Sequence, residues 1–190
     1  KVLSGLLVPT SGEVRVLGFT PSERRYEFLS SIMLVAGQKN QLLWDLPPAD
    51  TFELNRAIYG VPRADFEARL AEIVPLLQIE EVVHKPTRQL SLGERMKCEL
   101  LAAMLHQPTL LFLDEPTIGL DVSMQATIRS FIKRYNEQRG ATILLTSHYM
   151  DDVAALCPRV LVIDKGELSY DARLDELVRR AHIGQPLGDA

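Results

Sequence analysis

Leu110-Leu111-Phe112-Leu113 is continuously apolar and stops at Asp114-Glu115-Pro116. A strand with one wet face alternates polar and apolar residues, so a run without a polar member reads as a strand covered on both sides, as in a parallel sheet between layers of helix. Ile32-Met33-Leu34-Val35-Ala36 reads the same way, residues 141–146 give a second apolar strand after 110–113, and 160–163 gives a third. Helical spacing fills the intervals. Phe66, Leu70, Ile73, Val74 and Leu77 share one face ahead of the 110–113 strand; Ile128, Phe131, Ile132 and Tyr135 share another after it, and 150–156 reads as a short helix. Strands alternating with helices predict an α/β fold on a parallel sheet.

The ends and connections follow weaker signals. Val2, Leu3, Leu6 and Leu7 fall on one helical face, which the turn residues of 8–12 stop. The chain starts at Lys1 rather than a methionine, inside what reads as the last turns of a helix, and a truncated front end is expected. Glu13-Val14-Arg15-Val16 alternates as a half-buried strand does. Residues 41–48 carry Leu42, Leu43, Trp44 and two prolines without a period, so they read as an apolar loop and, if exposed, as a docking surface. From 51 to 107 the pattern is helical, an insert between two strands. The tail beyond 181 has three turn residues and no periodicity, and is expected to be poorly ordered.

Composition narrows the classes. With 46% hydrophobic residues among 190, and 21 Lys+Arg against 25 Asp+Glu for a net charge of −4, the chain has the apolar content of a globular domain and not of a disordered one. A mildly acidic balance without a Lys/Arg block argues against wrapping nucleic acid. The longest apolar runs fall far short of the roughly 18 residues of a membrane-spanning helix. Cys98 and Cys157 have no neighbours at metal or redox spacing and read as reduced, packed thiols, as in a reducing cytosol.

Open parallel sheets bind ligands beyond the carboxyl ends of their strands, where this sequence puts Gln38, Asp114-Glu115 and Ser147-His148. An Asp at such a place suits Mg²⁺, with the adjacent Glu placed to orient water. The same two acids can also simply cap the turn before Pro116, and a lone His after a strand is more often structural. Ser91 and Glu94 have the spacing of a capping box ahead of a helix. A helix start with a Ser hydroxyl and Gly93 is equally a phosphate site, so one feature serves both readings.

In order along the chain, these residues resemble the motifs of the ATP-binding subunit of ABC transporters. Leu90-Ser91-Leu92-Gly93-Glu94 resembles the signature L-S-G-G-Q, and 110–115 the Walker B strand. Gly119-Leu120-Asp121 is similar to the D-loop, His148 falls at the switch histidine and Gln38 at the Q-loop. The resemblance implies a P-loop NTPase-like sheet core flanked by helices, with a helical subdomain insert and a small N-terminal β element. Its division of the chain is a partial ATPase core over 1–48, the helical subdomain over 49–107, the rest of the core over 108–177 and a poorly ordered tail over 178–190.

By the same resemblance ATP and Mg²⁺ are the cofactors. Asp114 binds the metal, with Gln38, partly through water; Glu115 polarises the attacking water; His148 and Gln38 sense the γ-phosphate. Ser91 and Gly93 cap the ATP of a second ATP-binding subunit in a head-to-tail homo- or heterodimer, and Asp121 meets that subunit. Leu42, Leu43 and Trp44 dock on a transmembrane permease, which implies a peripheral place on the cytoplasmic face of the membrane and no nucleic-acid partner. The pattern from Gln38 to Trp44 looks like the branch that pairs with ABC-2 exporters.

Leu92 and Glu94 depart from the signature, with modest effects expected. The larger departure is that no G-x-x-x-x-G-K-[ST] occurs in the 190 residues, so the cradle for the β- and γ-phosphates is absent and the chain as given is expected to be inactive in cis. Two alternatives follow: a docking or regulatory module without ATPase activity, and a soluble ABC-type ATPase acting on nucleic acid or ribosomes.

Overall fold

The computed structural model describes residues 1–37 and 39–182. The chain divides into two compact units, Lys1–Thr146 and a second from Ser147 onward.

The first unit is built on a three-stranded parallel sheet. Strands β1 (Ile32–Ala36), β2 (Leu110–Asp114) and β3 (Thr142–Thr146) lie side by side in that order. They are in register, with Ile32 opposite Leu110 and Leu110 opposite Thr142. Four consecutive residues of β2 are buried, as its uninterrupted apolar run requires of the central strand. Helix α1 (Tyr26–Ser31) leads into β1 and sends Phe28 into a cluster with Ile32, Leu110 and Phe112. After β2 comes α5 (Val122–Arg139), whose buried residues are the expected Ile128, Phe131, Ile132 and Tyr135.

Between β1 and β2 stand α2 (Pro48–Ile58), α3 (Arg63–Leu77) and α4 (Leu92–Met104). Phe66, Ile73 and Leu77 of α3 are buried, as their spacing predicts. Helix α4 is buried almost all round, including Lys97, Cys98 and Glu99, and packs against β1, α2 and α3. Burial pushes the Cys98 thiol up to about 12, which keeps it protonated and inert.

At the front of this unit one expectation is met only as a closing turn and another fails. Residues 1–7 form turns, in which Gly5 N–H donates to Val2 O and Leu6 N–H to Lys1 O. That pair of bonds is the Schellman arrangement that ends helices. It buries Ser4 and Gly5 and leaves Leu3, Leu6 and Leu7 exposed, with Val2 half-buried, so most of the apolar face read there is open. The strand expected over 13–16, and with it the N-terminal β element, shrinks to a single bridge between Val16 and Phe19. Four residues of alternation are too few to decide where the chain turns.

The second unit holds α6 (Met150–Leu156), the antiparallel pair β4 (Arg159–Asp164) and β5 (Glu167–Arg173), and α7 (Leu174–His182). The 160–163 run is therefore a hairpin strand and not a member of the parallel sheet. Its partner β5 is mostly polar and gave no apolar signal. The turn between them, Lys165-Gly166, takes positive φ at both residues (48° and 86°), the two-residue geometry that suits hairpins. The tail expected from 178 continues as helix to His182 instead; the rest of it lies outside the described residues.

Candidate nucleotide site

The carboxyl end of β2 is where the chemistry-bearing residues meet the sheet. Asp114 is the last residue of the strand, and its Oδ1 accepts a hydrogen bond from the Thr146 hydroxyl at the matching end of β3 (2.6 Å). Glu115 then adopts φ +53°, left-handed backbone that a residue with a Cβ enters at a cost of about 1–2 kcal/mol. The strain is held from both sides. Gly37 N–H donates to Asp114 O (2.9 Å), and Glu115 N–H donates to Thr146 O (3.0 Å). A Cβ on Gly37 would lie 2.1 Å from the Glu115 carbonyl oxygen, so β1 approaches this turn as only glycine allows. Strained backbone at a strand end, fixed by its neighbours, is where functional side chains concentrate.

Downstream, Asp121 caps α5, its Oδ1 accepting from Met124 N–H (2.9 Å). Gln125 folds back to donate from Nε2 to Leu120 O (3.1 Å), which pins the loop from inside its own subunit. Sequence reading missed Gln125; its signal was a position four residues past a helix N-cap, close enough to reach the loop ahead of it.

Ser91 and Glu94 form the expected capping box. Ser91 Oγ accepts from Glu94 N–H (3.3 Å), and the Glu94 carboxylate accepts from Ser91 N–H and from its hydroxyl (2.8 Å each). Gly93 is buried against α5, where a Cβ would meet Met124 Cε at 2.7 Å. Leu92 Cδ2 closes on Gly119, so the first turn of α4 packs on the 119–124 segment. The Ser91 backbone N–H, and then its hydroxyl, hold the Glu94 carboxyl below its ordinary 4.5. A carboxyl depressed by folding stabilises above its unfolded value and loses that contribution as pH falls through the folded one. Ser91→Ala is therefore expected to cost about 1 kcal/mol at pH 7 in denaturant unfolding. Glu94→Gln should flatten the loss of stability below pH 4.5.

His148 lies in the second unit, exposed, one residue past Ser147. Ser147 is fixed there, its hydroxyl donating to the buried Asp152 (2.8 Å) and accepting from Tyr149 N–H (3.1 Å). Gln38 lies outside the described residues. In the 41–48 loop, Leu43 and Trp44 are exposed, whereas Leu42 is only 5% exposed and belongs to the core. Leu42 is thus a packing residue and not part of a docking surface; its N–H donates to Asn40 Oδ1 (3.2 Å).

A model of the family described as ABC transporter matches residues 1–118. The chain belongs to this family. Among curated relatives, the ABC transporter ATP-binding protein NatA of Bacillus subtilis is 28% identical over 177 residues, 93% of this chain and 72% of that protein. Of the next curated relatives it matches, the chain spans 24% to 59% of the length. A solved ATP-binding subunit of an ABC transporter superposes with a TM-score of 0.82 at 24% identity, covering 99% of this chain and 76% of that one. A dimeric ATP-binding cassette solved in a post-hydrolysis state with ADP and Pi gives 0.77 at 22% identity, covering 91% and 78%. These likenesses establish the ABC ATPase fold: an α/β chain with a parallel sheet and a helical insert.

Proposed function

We propose that this chain is the portion of an ABC transporter ATP-binding subunit that supplies the Walker B acids, signature, D-loop and switch, and that the whole gene product hydrolyses ATP to drive a separate transmembrane permease. The observation that carries the reading is the strained turn at Asp114-Glu115, held by Gly37 and Thr146 at the carboxyl end of the central strand. The hard oxygens of Asp114 and Thr146 suit Mg²⁺. Among the described residues no three His, Cys, Asp or Glu side chains converge on one point, and a cation held here would need further oxygen ligands. When bound, Mg²⁺ neutralises charge developing on the transferred phosphoryl group.

This chain's own residues do the rest. Asp114, with Gln38, holds the metal partly through water. Glu115 accepts a proton from the attacking water, and His148 and Gln38 respond to the γ-phosphate. The first turn of α4, with Ser91 and the close-packed Gly93, offers backbone N–H groups to a phosphate carried by a second ATP-binding subunit, identical or not, in a head-to-tail pair. Asp121 already caps α5, so it meets that subunit from a fixed position. Leu43 and Trp44 form the surface for the permease, of the ABC-2 exporter type, at the cytoplasmic face of the membrane. Among the described residues no helix is long and apolar enough to cross a membrane.

A second reading is a docking module without turnover. Two measurements separate them. The coding sequence upstream of Lys1 should contain that motif in frame, and the isolated 190-residue chain should show no MgATP binding in calorimetry at about 100 μM, for want of the phosphate cradle. An in-frame stop codon upstream would favour the docking module, and micromolar binding by the chain alone would refute the division of the site.

A further inference from the structure

Gln41 stands at a junction. Its Nε2 donates to Leu34 O of β1 (2.5 Å), while its backbone N–H is directed at Glu99 Oε1 of α4 (3.4 Å), a long contact that spans 58 residues of sequence. From there the loop continues to Leu43, whose N–H donates to Thr51 Oγ1 of α2 (3.2 Å), and to Trp44, whose carbonyl accepts from Arg88 N–H (3.0 Å). Core strand, loop and α4 thus meet at one residue.

Glu99 is an expensive side chain for that place. It is 4% exposed, and Arg95, one turn back, comes only to 4.0 Å. Its Oε2 is fully enclosed and has no hydrogen-bond partner. Burial pushes the carboxyl up to about 7, against the smaller opposing effects of the Gln41 N–H and Arg95. On either side in sequence α4 is packed with Cys98, Leu100 and Leu101, and an apolar residue at 99 would remove the desolvation cost of an incompletely satisfied acid. Stability does not account for the acid, whereas the link to Gln41 does.

We propose that Glu99 is a positioning residue that latches the loop bearing Leu43 and Trp44 to α4, so that a displacement of the loop is delivered along α4 to its first turn at Ser91 and Gly93. The meaning of that displacement rests on the docking role proposed above, but the latch needs neither nucleotide nor permease. A latch works in both directions, because coupling between two sites is reciprocal.

The test reads each end from the other, in the 190-residue chain. Trp44, the chain's one tryptophan, is half exposed, so acrylamide quenching of its fluorescence reports on the loop. Glu99→Leu is expected to raise loop opening, seen as increased Trp44 quenching, and Gln41→Pro, which removes the N–H, to raise amide exchange across 96–100. Each change is about fivefold in the opening constant, the equivalent of one net hydrogen bond. Glu99→Gln keeps an oxygen of the same reach and should leave both readouts near the parent. Unfolding midpoints are recorded alongside, since a residue that merely packs moves the midpoint without moving the distant reporter. Unchanged Trp44 quenching in Glu99→Leu, or unchanged exchange over 96–100 in Gln41→Pro, overturns the latch. Should Glu99→Leu fail to fold, Gln41→Pro, at an exposed position, decides alone. Loss of the ATPase reading would leave these outcomes as they are.

Discussion

Glu115→Gln in the whole gene product should lower ATP turnover about 10³-fold, within the range a positioned general base contributes, while nucleotide binding persists. The amide has the size of the carboxylate, so the turn at φ +53° and its bonds to Gly37 and Thr146 stay as they are. What disappears is the group that takes the proton of the attacking water. If hydrolysis reopens the pair of subunits, the variant should accumulate as an ATP-bound dimer, visible in size-exclusion chromatography with MgATP. Turnover equal to the parent's would refute the role given to Glu115.

Gly37→Ala attacks the same turn through packing. The added methyl would sit 2.1 Å from the Glu115 carbonyl oxygen and 3.1 Å from Ile118 Cγ2, and the first of these is backbone that cannot swing aside. Relief requires β1 and β2 to part at their carboxyl ends. Overpacking of this kind costs about 3 kcal/mol. For a chain of this size that lowers the melting midpoint by about 6–12 °C. Calorimetry of the 190-residue chain checks it, and a midpoint within about 2 °C of the parent rules out the close approach. Turnover of the whole protein should fall as well, since Glu115 shifts with its backbone.

The two predictions draw on information of different kinds. Asp114 and Glu115 were legible because an apolar run ended in acids, and the β2 pattern is strong enough to be read from four residues. Ser91 and Glu94 were legible because capping is a local code with fixed spacing. Gly37 was not, since nothing near it in sequence says that Glu115 will lie against it; the close approach is a property of the register between strands. Leu42 was misread for the same reason. Its neighbours Leu43 and Trp44 are just as apolar, and nothing in their residue types says which of the three is buried. The hairpin of β4 and β5 was lost because β5 is polar on most of its length, although Lys165-Gly166 marked its turn. Glu99 gave no signal in the sequence, because burial is not encoded by one residue's type.

The pairing of the sheet also bears on how such a chain can vary. Ile32 and Leu110 are partners across 78 residues, and Leu110 and Thr142 across 32. Loop-closure entropy grows only with the logarithm of length, so the longer connection costs merely about 0.8 kcal/mol more than the shorter. Helices can thus be lengthened, shortened or added between β1 and β2 at a charge smaller than that of one lost cap. Rigid chemistry at the strand ends and an insert whose length is nearly free of penalty let the surface diversify while the turn at Glu115 stays the same.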